Sequence, residues 1–358
     1  MQATNRNELP GKSLEEQLLR AAVRIVGLFW MLASSPNLAI GQSANDFYRG
    51  KTIRLLVGSE AGGGFSAYSL LLASRLGHFI PGRPNVSVEY MPGAGGVNSI
   101  NYLANAAPKD GTVIAVAMPN FFVTPYVQPG VTRFDPKSLH FIGRMSDFGR
   151  VLATWNASGA HSVDDLKKSI VTVGASALQS TTSVAPVLMN EILGTKMNVI
   201  TGYIGTGPTL IALERGEVGA LTVAWSTLKS ERAEWLREGK VSIIAGLDFN
   251  NVPFTGVPRV RDLIADPGKL AIWDFVALPA EFGTAFVAPP GMPDERLRLL
   301  RSAFDQALAS PELIADAQKR QLDLDPKSGV ELDALFQKYG VPTPEIVAAV
   351  SRVMGLGK

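Results

Sequence analysis

The chain has 358 residues, and its 46% hydrophobic content is enough for two cores of ordinary domain size, which excludes disorder over most of its length. Lys and Arg number 34 against 32 Asp and Glu, a net charge of +2 too balanced for the electrostatic footprint of a nucleic-acid-binding protein. Cysteine is absent, which removes disulfides, thiolate metal sites and cysteine nucleophiles, and no two of His78, His140 and His161 have the spacing of a helical metal pair. No metal and no organic cofactor is therefore expected.

Residues 1–44 read as an export signal. Arg20 and Arg24 precede the apolar run Ile25–Ala33, and Ser34-Ser35-Pro36-Asn37 ends it. The run is far below the roughly 20 residues that span a bilayer, so stable membrane insertion is not expected. Small residues place the cleavage within 41–44, and without a cysteine no lipid anchor can form there. Cleavage removes Arg6, Lys12, Arg20 and Arg24 together with Glu8, Glu15 and Glu16, which leaves the exported chain close to neutral.

Along the mature chain one beat recurs. Thr52–Val57 is a strand, Gly58–Gly64 a glycine-rich loop and Ala67–Phe79 a helix. Val86–Tyr90 is the next strand, followed by loop Pro92–Gly96, a helix to about Ala107, a turn at Lys109–Gly111 and strand Thr112–Ala117. Pro119–Gly159 is rich in Pro and Gly and less regular. The beat resumes with strand Ile170–Gly174, helix Val184–Leu193, strand Asn198–Thr201, helix Thr209–Arg215, strand Ala220–Ala224, helix Leu228–Glu238 and strand Val241–Ala245. Phe282–Pro290 is an extended crossing, and Pro293 opens a periodic helix to about Leu308 with two more helices behind it. Helices between strands imply parallel pairing. Such a chain builds two α/β sheets, with the ligand cleft between them at the carboxyl ends of the strands.

The strand-to-helix turns are the candidate site. At Gly62-Gly63-Gly64 several backbone N–H groups converge on the positive end of a helix dipole, an arrangement suited to a carboxylate or phosphate. No Lys-Ser/Thr closes this loop, and neither it nor Pro92–Gly96 has the spacing of a dinucleotide fingerprint. Ser180, Thr181 and Thr182 can cap the helix that follows them or bond a carboxylate. Gly205 and Thr206 form a further strand-to-helix turn, and Trp225, at a strand end, either walls a ligand or belongs to the core. Ser66 and Ser180 lie in no nucleophile elbow, and nothing brings a histidine beside them, so the chain does not read as an enzyme. Glu60 reads as a solvated loop residue.

The motifs Gly62–Gly64, Pro92-Gly-Ala-Gly-Gly96, Ala107-Pro-Lys-Asp-Gly111, Gly202-Tyr-Ile-Gly-Thr206 and Glu214-Arg-Gly-Glu-Val218 occur in order. In this the chain resembles the Bug-type receptors of tripartite tricarboxylate transporters, from about Asp46 to Ala245 and more loosely through Ala288–Pro293. The resemblance implies a two-domain periplasmic-binding-protein fold, type II-like, each domain an open, mostly parallel sheet flanked by helices. The domains expected are 45–148 plus 283–358 for the first and 149–282 for the second. It also implies a carboxylate held largely by backbone groups and waters in two loops. Here those loops offer Ser59, Ala61, Gly62, Gly63, Gly64, Phe65 and Ser66, and Ser176, Gln179, Ser180 and Thr181.

Departures from the family pattern are Ser66 and Leu70, where an Asp and an Arg are usual, Gly58 for a Pro, and Gly219 for an Asp. A neutral group at Ser66 points to an anionic ligand without an ammonium group. The expected protein is a periplasmic, monomeric receptor that closes around a small organic carboxylate and passes it to tripartite transporter membrane subunits. A signalling co-receptor and an exported hydrolase are the alternatives.

Overall fold

A computed structural model of the chain describes residues 47–178, 180–203, 205–248 and 256–356. The expected export signal and the candidate Gln179 lie outside the described residues. Among the described residues no helix is long and apolar enough to cross a membrane.

The glycine loops open helices where the sequence places them. β1 (Thr52–Val57) leads into α1 (Gly63–Leu76), β2 (Asn85–Tyr90) into α2 (Val97–Asn105), and β3 (Val113–Ala117) into α3 (Asn120–Val127). β1 is buried on both faces, as a helix-covered strand must be. Its Ile53, Leu55 and Val57 pack with Leu71, Leu72 and Leu76 of α1, while Leu56 points the other way onto Ile100 and Leu103 of α2. Each such leucine, fully buried, contributes about 1.5–3 kcal/mol. The helical crossovers make β1 parallel to both β2 and β3.

The stretch that looked irregular also holds β4 (His140–Arg144) and β5 (Arg150–Trp155). α3 is only eight residues long with Pro125 inside it, and β4 contains His140, Gly143 and Arg144, so neither presents the period or the β-branched run that would announce it.

The second sheet follows with α4 (Val163–Lys168), β6 (Val171–Ala175), α5 (Thr181–Leu193), β7 (Met197–Thr201), α6 (Thr206–Glu214), β8 (Ala220–Ala224), α7 (Trp225–Glu231), α8 (Ala233–Arg237) and β9 (Val241–Gly246). The helix expected over Leu228–Glu238 is broken at Arg232, whose φ of −142° is not helical. α9 (Pro267–Phe282) then leads to β10 (Ala285–Ala288), α10 (Asp294–Ala309), α11 (Pro311–Lys319), β11 (Lys327–Ser328), α12 (Gly329–Tyr339) and α13 (Pro344–Val353).

The strand orders are β11-β4-β10-β3-β1-β2 and β7-β6-β8-β5-β9. Most strands of each sheet run one way, as expected, and each sheet is mixed through a few reversed strands. β10 runs antiparallel to β3 and β4, and β5 antiparallel to β8 and β9. These two strands arrive by crossings between the sheets, not by the βαβ connections that enforce parallel pairing.

The crossings are tied to each other. Thr284 N–H donates to Ser146 O at 2.9 Å, Met145 N–H to Thr284 O at 3.2 Å, and Ser146 N–H to Thr284 Oγ1 at 3.2 Å. The C-terminal helix does not stay with the first sheet: Val350, Val353 and Met354 pack into the second sheet's core beside Trp273, Phe275 and Val276.

Candidate functional site

β1 lies between β2 and β3, and β6 between β7 and β8, so each sheet has a point where successive crossovers leave to opposite sides. Crevices open at such points, beyond the carboxyl ends of the strands. A cleft of about 460 Å³ is found there, with loops from both sheets in its wall. The first sheet supplies Phe65 after β1, Ala94 and Gly95 after β2, and Met118, Pro119 and Asn120 after β3; the second supplies Ala177, Ser180 and Thr181 after β6. Thr124 of α3 and Gln128 just beyond its end complete one side.

Three helices begin at this wall. Phe65 is in the first turn of α1, Asn120 opens α3, and Ser180 precedes α5. The first N–H groups of a helix have no partner within it, and its dipole is positive at that end. Among the described residues, none that lines the cleft is charged. The charges gather at the crossings instead, where Arg144 meets Asp325 and Arg150 meets Asp248, each at 2.5 Å. Burial pushes the Asp248 carboxyl above its usual range despite Arg150 beside it.

Of the residues singled out in the sequence, Phe65, Ser180 and Thr181 line the cleft. Phe65 is fixed edge-on against Phe148 of the first crossing, with ring centroids 4.8 Å apart. Ser180 sits at the N-cap position of α5, yet its hydroxyl does not cap the helix. It donates to Ala177 O at 2.6 Å and lies 2.7 Å from Thr182 Oγ1, while Thr182 Oγ1 accepts from Ser176 N–H at 3.2 Å. Ser176 and Thr182 thus brace the loop that presents Ser180 and Thr181.

The other candidates fall outside the wall. Ala61, Gly62, Gly63 and Gly64 are exposed at the head of α1, where Gly62 and Gly63 take φ of 95° and 72°, and Ser59 bonds the neighbouring Glu60 carbonyl. Ser66 is 2% exposed, its hydroxyl is bonded to Tyr90, and it does not line the cleft. Gly205 and Thr206 are exposed at the head of α6. Trp225 is half-buried with its side chain packed against the second sheet's core, and its backbone N–H donates to Gly149 O at 2.8 Å.

Sequence reasoning missed Met118, Asn120, Thr124 and Gln128, because it left their segment unassigned. The signal was nonetheless present: β3 was predicted, and a ligand site belongs at its carboxyl end as much as at that of β1. It also undervalued the second glycine loop, where Ala94 holds a φ of 48° that non-glycine residues rarely adopt. Such strain concentrates at functional sites.

Residues 80–338 match the family of tripartite tricarboxylate transporter receptors. The chain belongs to this family. A UPF0065 protein of Bordetella pertussis is 24% identical over 286 residues, 77% of this chain and 82% of the relative. The UPF0065 protein of the gbd 5' region of Cupriavidus necator is 26% identical over 354 residues, covering 95% and 98%. A TctC solute-binding protein from Polaromonas shares the fold at TM-score 0.65 and 18% identity, over 86% of this chain and 99% of that one. So do a Rhodopseudomonas palustris protein solved with adipate, at TM-score 0.60 and 18% identity over 85% and 98%, and MatC from Rhodopseudomonas palustris with bound malate, at 0.58 and 19% over 85% and 99%. Family and fold are those of solute-binding receptors.

Proposed function

We propose that the chain is a periplasmic receptor that captures a small organic carboxylate in the cleft between its two sheets and delivers it to the membrane subunits of a tripartite transporter. The lobes we assign are 45–148 plus 283–358 and 149–282, with α13 reaching from the first onto the second. The observation that carries the reading is the cleft wall: amides, hydroxyls and three helix N-termini, with no charged side chain among the described residues, around a space within the ordinary range of small-molecule sites. Such a wall compensates an anion by oriented dipoles and hydrogen bonds to charge, each worth about 1.5–3 kcal/mol. The adipate and malate found on two structural neighbours are the ligand class this wall suits. Because loops of both sheets contribute, a ligand touching both favours a closed arrangement over an open one. The hydrolase alternative lacks a base in the cleft, since the Ser180 hydroxyl meets a carbonyl and another hydroxyl.

A thermal-shift panel of mono-, di- and tricarboxylates, each beside its neutral amide, tests this. An acid should raise the melting temperature with concentration as mass action requires, and its amide should not. A panel in which no acid shifts the transition, or in which amides match acids, contradicts the reading.

A further inference from the structure

The cleft continues past Thr181. Pro119, Asn120, Thr124, Gln128 and Thr181 line both the cleft and a second, smaller hollow of about 50 Å³. The remaining wall of that hollow is Val123, Val184, Val276, Val350 and Met354, contributed by α3, α5, α9, α13 and the residue just beyond α13. Its volume is more than the roughly 10–15 Å³ a single water needs by the same measure, so the hollow admits a small group such as a branched alkyl end. The hollow is two-sided: Asn120, Thr124, Gln128 and Thr181 lie on the side shared with the cleft, and the far side is apolar, where a water molecule finds few hydrogen-bond partners and a charge loses hydration that the valines do not replace.

We propose that this hollow is a subsite for the apolar end of the ligand, and that the chain prefers a monocarboxylate ending in a small branched alkyl group over a dicarboxylate of the same length. The inference rests on the carboxylate reading above. The acid group stays at the helix N-termini around Ser180 and Thr181, and the chain of the ligand passes between Thr124 and Thr181 into the hollow. Among the described residues, no Lys or Arg lines either space to pair with a second carboxylate. A branched end fills the hollow and displaces poorly bonded water, which favours binding. Pocket discrimination by one methylene group is typically 10- to 200-fold, so the preference is large enough to measure.

The test is isothermal titration of the exported chain with adipate and with 6-methylheptanoate, in which an isopropyl group replaces one carboxylate of adipate. The proposal expects 6-methylheptanoate to bind at least about tenfold tighter. Adipate binding as tightly or more tightly overturns it while leaving the carboxylate reading intact. Binding of neither acid also overturns it, and the thermal-shift panel then decides the broader reading. Met354→Lys puts a cation at the hollow and should reverse the preference; a folded variant with the wild-type preference counts against the subsite. Should that variant not fold, Val276→Ala serves: it should weaken 6-methylheptanoate several-fold and leave adipate unchanged, and equal effects on both acids refute the proposal.

Discussion

The hydroxyls of Ser66 and Tyr90 lie 2.6 Å apart, joining the first turn of α1 to the end of β2. The bond holds the Ser66 side chain in the body of the protein. Its loss should therefore appear in stability. Ser66→Ala should cost about 1 kcal/mol in urea unfolding, Tyr90→Phe a similar amount, and the double variant little more than either. Titration of Ser66→Ala with a bound carboxylate should give the wild-type affinity. A large drop in affinity at unchanged stability would return Ser66 to the ligand.

The Gly58 departure has a steric cause. A Cβ on Gly58 would stand 2.5 Å from the Gly96 Cα, and Gly96 itself holds a φ of 93°. The loops after β1 and β2 thus touch through two glycines. Gly58→Ala should force them apart and destabilise the chain by about 1–3 kcal/mol, read as a lowered melting temperature. Wild-type melting would show that the loops yield freely.

Glu281 is buried at the end of α9 with Arg144, Lys327, Asp147 and Asp248 around it, and burial holds its carboxyl above the usual range despite the two cations. An acid whose folded value is raised favours the folded state below its unfolded value, and that contribution is lost as pH rises through the folded value. Glu281→Gln should therefore stabilise the chain at neutral and alkaline pH, and the gain should shrink toward zero as pH falls below the ordinary glutamate range. Melting temperatures of both proteins from pH 4 to 8 check this; a gain independent of pH, or one growing toward acid, would show that ionisation is not the cause.

Of the first sheet's part of the wall Phe65 was legible, because the Ile, Leu and Val of β1 lead into a glycine-rich loop, and that order leaves few conformations besides strand, turn and helix. Ser180 and Thr181 were legible for a related reason, as hydroxyl residues between a predicted strand and an apolar period. Asn120, Thr124 and Gln128 were not, because α3 is too short and too interrupted by Pro125 to show its period. The bond from Ser66 to Tyr90 was not legible either, because a helix position alone does not say which neighbour its side chain meets, and Tyr90 arrives from another strand. Val350 and Met354 reach the hollow by tertiary packing of the last helix onto the second core, which no local pattern encodes.

Under the proposed function a carboxylate binds where the head of α5 meets the cleft, held by dipoles and hydroxyls in a wall whose described residues carry no charge. Thr181→Glu tests it most directly, because an acidic residue in the first turn of a helix favours the fold while placing a negative charge beside the ligand. The account predicts that the unliganded variant melts at or above the wild-type temperature, and that its affinity for the carboxylate giving the largest thermal shift falls at least about tenfold, a difference of about 1.4 kcal/mol. A folded Thr181→Glu protein that binds this acid with wild-type affinity would contradict it.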